Sequence, residues 1–225
     1  MTQTPPPPPS GIDRTGQPPP PDVLTLHRRL PPAGRFTRAL GDQWTTVGDP
    51  LTEDWLRAHV RGVQIIGAYP AADGVARFGV IDIDHHPADG VVDPAAVRAN
   101  EAYARAKHAE LMSMGIVAVL VRGHTAGSLH LWLSVQPMDA ARLGRWLQRF
   151  VADRGDVPVD TFPSRTGGGN AVRLPGRHHR HPDQWSAHWN AAAATWEPWP
   201  AAWEALAAIP DNDQAIHGVR LTDSG

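Results

Sequence analysis

Asp82 and Asp84 stand one residue apart at the end of an apolar run, Phe78-Gly79-Val80-Ile81-Asp82-Ile83-Asp84. In a β-strand, residues i and i+2 share a face. This spacing would aim both carboxylates the same way and turn Ile81 and Ile83 to the core. Two carboxylates so placed repel each other. A divalent cation relieves the repulsion, and hard Mg²⁺ or Mn²⁺ prefers oxygen ligands. A strand that merely ends in surface acids fits the same residues. Ser128 and His130 repeat the i, i+2 spacing in a second β-rich run. A hydroxyl and an imidazole N–H both donate to phosphate oxygens, although a lone strand histidine is more often a half-buried structural residue. Asp160, after Val157 and Val159, can supply a third carboxylate or simply cap a turn. Three acids holding two cations about 3.5–4 Å apart would suit in-line displacement at phosphorus. Arg122, Arg165 and Arg173 are candidates for phosphate or template contacts, although any one arginine is more often a solvated surface charge.

These residues need elements to position them. Arg77 to Asp84 reads as a central strand. Asp93-Pro94 opens a long helix with Asp93 as N-cap and Pro94 at the first helical position. Val97, Tyr103, Ala104, Leu111 and Met114 supply its apolar stripe, and Gly115 ends it. Ile116 to Val121 and Ser128 to Val135 are strands, the second with His130, Trp132 and Ser134 on one face and Leu129, Leu131 and Leu133 on the other. Asp139 to Asp153 is a helix with Leu143, Trp146, Leu147 and Phe150 as its buried stripe, and Val157 to Phe162 is a short strand. The order from Arg77 to Phe162 is β-α-β-β-α-β, a ferredoxin-like, RNA-recognition-motif-like unit of an α+β protein. Its first and third strands are central neighbours, which would bring Asp82 and Asp84 beside Ser128 and His130.

The flanks are less patterned. Residues 1–22 hold two proline runs and are expected to be a disordered tail. In 23–50, Phe36, Leu40 and Trp44 have helical spacing, but Gly41 and Gly48 favour loops. Thr52 is a plausible N-cap for a helix running to about Val60, Val63 to Tyr69 is a strand candidate, and Pro70 to Gly74 a turn. Beyond the core lie a glycine-rich stretch, Gly167-Gly168-Gly169, a possible short strand from Ala171 to Leu174, and a basic cluster, Arg177-His178-His179-Arg180-His181. A Trp-rich tail follows, with a helix from Pro200 to Ile209. The expected division is a single domain over 23–209, with an α/β flank (23–76), the core (77–176) and a basic, Trp-rich segment (177–209), followed by a tail over 210–225.

Composition narrows the function. The 225 residues contain no cysteine, which excludes disulfides, Cys-type zinc sites and thiol catalysis and suits a reducing cytoplasm. The formal net charge of -2 gives no global field for nucleic acid, so any such binding needs a local basic patch. No apolar run has membrane-spanning length, and the N-terminus lacks the basic-then-apolar pattern of a signal peptide. His178, His179 and His181 raise a zinc alternative, and His85 and His86 a mixed Asp/His centre for a metal-dependent phosphohydrolase. A basic loop touching nucleic-acid phosphate is the simpler reading of the first group, through Arg177, His178, His179 and Arg180.

Asp82-Ile83-Asp84, Ser128-Leu129-His130 and Asp160 resemble, in order and spacing, the three motifs of the archaeo-eukaryotic primase superfamily: Asp-h-Asp, Ser-x-His and h-Asp, where h is hydrophobic. Leu51-Thr52 through Ile66-Gly67-Ala68-Tyr69-Pro70, and Phe162-Pro163 through Gly169-Asn170-Ala171-Val172-Arg173-Leu174-Pro175-Gly176, look like the primase-like domain of TOTE conflict systems. The resemblance spans about residues 25–200. It implies the primase fold, an RNA-recognition-motif-like catalytic unit with an N-terminal α/β flank, and a template-directed nucleotidyltransferase. Asp82, Asp84 and Asp160 would bind two Mg²⁺ or Mn²⁺ ions, and Ser128 and His130 would contact the incoming nucleoside triphosphate. Arg165 or Arg173 would neutralise charge nearby. The partners implied are a single-stranded DNA template or primer-template, nucleoside triphosphates and a separately encoded helicase or nuclease, with no membrane. The turn Gly123-His124-Thr125-Ala126-Gly127 departs from the family's Ser- and Gly-rich turn, and the absence of cysteine excludes a zinc stem. A catalytically inactive single-strand-binding module of the same architecture is the alternative.

Overall fold

The computed structural model describes residues 23–31, 34–41, 43–84, 91–123, 126–212 and 216; the proline-rich 1–22 and the pair His85-His86 lie outside the described residues. Along the chain the elements are α1 (Val23–Arg29), β1 (Phe36–Leu40), β2 (Gln43–Val47), α2 (Glu53–Val60), β3 (Ile66–Ala68), β4 (Ala71–Ala72), β5 (Val75–Ile83) and α3 (Pro94–Ser113). They continue as β6 (Ala118–Arg122), β7 (Leu129–Asp139), α4 (Ala140–Phe150), β8 (Val159–Phe162), β9 (Val172–Arg173), β10 (Ala187–Asn190), β11 (Thr195–Glu197) and α5 (Ala201–Ala208). The strands form two sheets. One is ordered β2-β1-β3-β9; the other is ordered β11-β10-β6-β7-β5-β4, with β8 also on β5. All the ladders are antiparallel. The fold is α+β, and β5-α3-β6-β7-α4-β8 is the βαββαβ unit the sequence predicts, with its first and third strands paired.

The period-2 pattern of β5 and β7 explains why the second sheet separates two cores. Ile81, Ile83, Leu129, Leu131 and Leu133 are buried against the helix side, with Leu111 of α3 and Leu143 and Leu147 of α4. Phe78, Val80 and Trp132 face the other way and join Phe36, Leu56, Ile66 and Trp203 beneath the first sheet. Caps fix the crossover helices. The Asp93 carboxylate accepts from Ala95 N–H at 2.8 Å ahead of Pro94, and that of Asp139 accepts from Arg142 N–H at 2.6 Å. Thr52 takes the N-cap backbone position of α2 without a side-chain bond. No helix among the described residues is long and apolar enough to cross a membrane.

Several expectations are corrected. Residues 36–47 form a β-hairpin turning at Gly41, whose φ is +58°. The Trp-rich segment is a second hairpin, β10–β11, which extends the large sheet beyond β6. The stripe of α3 is more polar than expected: Asn100, Lys107 and His108 are buried with Ala104 and Leu111, while Val97, Tyr103 and Met114 are half-buried. Lys107 is held by Glu110 and Asp153 and by the Phe150 carbonyl. The body also extends past 209, since Asp211 bridges Ser134 and Asn212 bonds the backbone of Val117 and Ser134.

His59 of α2 ties the first sheet to the segment after β9. Its Nδ1 accepts from Ile66 N–H at 3.0 Å, so Nε2 carries the proton and donates to the Pro175 carbonyl at 2.9 Å. A Cβ on Gly176 would lie 2.6 Å from that Nε2, which is why the chain needs glycine there. Burial pulls the His59 pKa down to about 4, against the pull of its backbone bonds. The sign follows from linkage: below pH ~6.5 the unfolded chain takes up a proton that the folded chain refuses until about pH 4. Stability from His59 is therefore complete above pH ~6.5 and falls by about 3 kcal/mol as the pH drops through 4. His178 is depressed to about 4 as well, which adds to the slope. Urea unfolding between pH 7 and 4 should show this loss, and His59→Gln should flatten it; an unchanged slope in the variant would remove His59 as its source.

Candidate active site

Asp82 sits where two ladders meet. Across one edge of β5 it pairs with His130 of β7, and across the other with Asp160 of β8. Directly opposed residues of an antiparallel pair share a face, so His130, Asp82 and Asp160 form one row over three strands. The next row on that face is Trp132, Val80 and Phe162. His130 Nε2 lies 3.2 Å from Asp82 Oδ1, with 11% of the histidine side chain and 23% of the aspartate exposed. Asp84 falls one residue beyond β5, and its N–H still reaches the Pro158 carbonyl at 3.4 Å. Asp160 is exposed and lines a cleft of about 420 Å³ with Gln148, Arg154 and Asn170. A second cleft of about 430 Å³ shares Phe162, Gly169 and Asn170 with it and reaches Tyr69, over whose ring Arg35 lies at 4.8 Å.

The first sheet contributes the counter-charge. Burial pulls the pKa of Arg173 in β9 below the usual arginine value, and the charges of Asp84 and then Asp82 push it back. An arginine stays protonated under such a shift, so one guanidinium faces two carboxylates from the opposite sheet. Ser128 is buried beside it: a Cβ on Gly123 would lie 3.0 Å from Ser128 Oγ and 3.2 Å from an Arg173 terminal nitrogen. A side chain at 123 would crowd both groups. Asn100, buried in α3, donates to the Gly127 carbonyl at 2.9 Å and so fixes the approach to Ser128.

The structure thus sets His130, Asp82 and Asp160 in one row by register, with Asp84 and Ser128 at the neighbouring strand ends and Arg173 beside Ser128. Arg165 stands on the exposed turn between Ser164 and Gly167. Arg122 points to the helix side of the sheet, where it stacks over Trp196 at 4.8 Å. In the basic cluster, Arg177 donates to the Pro182 and Gly62 carbonyls, and His178 is buried with Nδ1 accepting from the N–H groups of Arg180 and His181. These two residues build the loop, while Arg180 and His181 are exposed and His179 is half-buried. The His178 ring stacks on those of His179 and His181 at 4.7 and 4.8 Å.

Among the described residues, no group of three or more His, Asp or Glu side chains is gathered closely enough to hold a metal ion, and in the histidine cluster His178 Nδ1 is taken by two backbone donors. The carboxylates of Asp82, Asp84 and Asp160 are not gathered either, yet as all-oxygen donors set by strand register they fit a hard divalent cation. The residues of the phosphohydrolase alternative, His85 and His86, lie outside the described residues. Sequence reasoning missed Asn100, which carries no signal in a helix, and Trp44, considered below.

No family model matches the sequence, and no curated protein matches it. Among solved structures, the polymerase domain of ligase D from Mycobacterium tuberculosis, in complex with DNA, is similar with a TM-score of 0.41 and 19% identity over 77% of this chain and 69% of that chain. The AEP domain of the primase-polymerase of cyanophage S-2L is similar with a TM-score of 0.41 and 18% identity over 84% of this chain and 96% of that chain.

Proposed function

We propose that this chain is a nucleotidyltransferase of the archaeo-eukaryotic primase type, adding nucleotides to a strand under the direction of a single-stranded template. The observation that carries the reading is the row His130-Asp82-Asp160 on three paired strands, faced by Arg173 from the other sheet. Asp82, Asp84 and Asp160 would hold Mg²⁺ or Mn²⁺, which when bound neutralises phosphate charge and acidifies a hydroxyl nucleophile. The chain's own groups do the rest. Ser128 O–H donates to an oxygen of the triphosphate. His130, held against Asp82 through Nε2, is placed to exchange that contact for a phosphate oxygen. Arg173 offers a planar, permanently charged fork to the same group. The order of the three motifs along the sequence supports the same reading.

The test is a gel extension assay with a single-stranded template, with and without primer, and ribo- or deoxynucleoside triphosphates. A product ladder is expected with Mg²⁺ or Mn²⁺ and none with EDTA. The lane without primer separates priming from extension. Template binding with no incorporation in any lane would overturn the proposal in favour of an inactive binding module.

A further inference from the structure

We infer that the open face of the first sheet is the track of the single-stranded template, and that the strand leaves the acid row by stacking a base on Trp44. The inference rests on the polymerase reading and adds the path of the strand. Thr46, Thr37, Gly67 and Arg173 oppose one another across β2, β1, β3 and β9, so they share a face. An Arg173 terminal nitrogen stands beside Ser128 at the Gly123 turn, and Ser128 precedes Leu129, the partner of Ile83, so this face is turned to the end of β5 that carries the acids. Its row is two threonines, a glycine and one arginine, too small and polar to be core; the core of this sheet lies on its other face, where Phe36 packs on Trp55 of α2. Ala39 and Trp44 oppose each other two residues along, on the same open face.

Trp44 is 42% exposed, on an edge strand, in edge-to-face contact with the His179 ring at 5.6 Å and 62°. His179 belongs to the loop in which His178 Nδ1 holds the backbone of Arg180 and His181, so the exposed Arg180, next in sequence to the residue that touches Trp44, is presented by a fixed turn. An exposed flat ring, with an exposed arginine one residue on from its histidine contact, matches what an unpaired base and its phosphate require: stacking tolerates any base, and the cation tracks the backbone. Between Arg173 and this platform the face offers small, uncharged side chains, and Arg180 stands exposed at its far end, in a protein whose net charge is -2.

The experiment is fluorescence anisotropy of a labelled single-stranded oligonucleotide with the full chain, without divalent metal or nucleotide. Trp44→Ala should weaken binding roughly tenfold, and Trp44→Phe, which keeps a stacking ring, should restore most of it. Arg180→Ala should weaken binding and reduce the salt slope by about one. Unchanged affinity in Trp44→Ala, or no binding by the wild type, overturns the track. A dimer that Trp44→Ala dissociates without changing affinity overturns it in favour of self-association. Because binding is read without chemistry, a wild-type chain that fails the extension assay yet shows these losses would sink the polymerase reading and leave the track standing.

Discussion

Asp82→Asn should lower template-directed incorporation by about a thousandfold or more while leaving the fold intact. Asparagine has nearly the volume of aspartate, and its side chain can keep the same place beside His130 Nε2, which lies 3.2 Å from the carboxylate. The variant therefore changes one quantity, the negative charge at the centre of the row. That charge is shared by two tasks. It faces Arg173, whose charged form Asp84 and Asp82 favour against the burial that lowers its pKa, and it would be the central ligand of any bound cation. Removing a preorganised charge from a reacting centre typically costs two to three orders of magnitude, and losing the metal with it costs more. Stability should change little, because the Asp82 side chain is 23% exposed and its strand neighbours Ile81 and Ile83 hold β5 in the core. Single-turnover extension with a saturating primer-template is the measurement. A rate above about a tenth of wild type would remove Asp82 from the chemistry.

The His130–Asp82 part of that row was legible in the sequence because each step used a rigid rule, whereas the register of Asp160 opposite Asp82 was not. The alternation in β5 and β7 fixed which residues face together, and the βαββαβ order made the two strands neighbours. What was not legible depends on tertiary contact. Arg165 and Arg173 look alike in sequence; only the pairing of β9 with β3 carries Arg173 over the acids. Phe36, Leu40 and Trp44 are spaced by four as in a helical stripe, but the chain turns at Gly41 and puts Trp44 opposite Ala39, on the other face from Phe36 and Leu40. Leu40 and Trp44 are exposed while Phe36 is buried, so they form no continuous helical stripe. The second hairpin was hidden by its turn, where Ala194 takes a φ of +51° in a run of alanines that carries no turn signal. His178 looked like a surface cation but is buried because its ring nitrogen satisfies two backbone donors of its own loop.

Gly144→Ala sets two physical effects against each other. In a solvent-facing helix the change would stabilise by up to about 1 kcal/mol, since alanine is the better helix former. Gly144, however, lies on the buried face of α4, and a Cβ there would overlap the Ser164 carbonyl and stand 2.9 Å from the Pro163 oxygen. Neither side can retreat. The Ser164 turn is closed by its N–H to the Gly168 carbonyl at 2.6 Å and by Gly167 N–H to its own carbonyl at 2.8 Å. The helix is held by Leu143 and Leu147, both fully buried. Overpacking of this kind costs 1–3 kcal/mol or somewhat more, so the net expectation is a loss of about 2 kcal/mol. For a chain of this size that lowers the melting temperature by roughly 4–8 °C. Activity should fall further than stability alone explains, because the turn continues directly from β8, which carries Asp160, and any shift of Ser164 moves that acid relative to Asp82. Thermal melts and extension rates at a temperature where the variant is fully folded separate the two effects. A raised melting temperature would mean that helix propensity wins and that the turn yields, which would make the position of Asp160 far less fixed than the three-strand row implies.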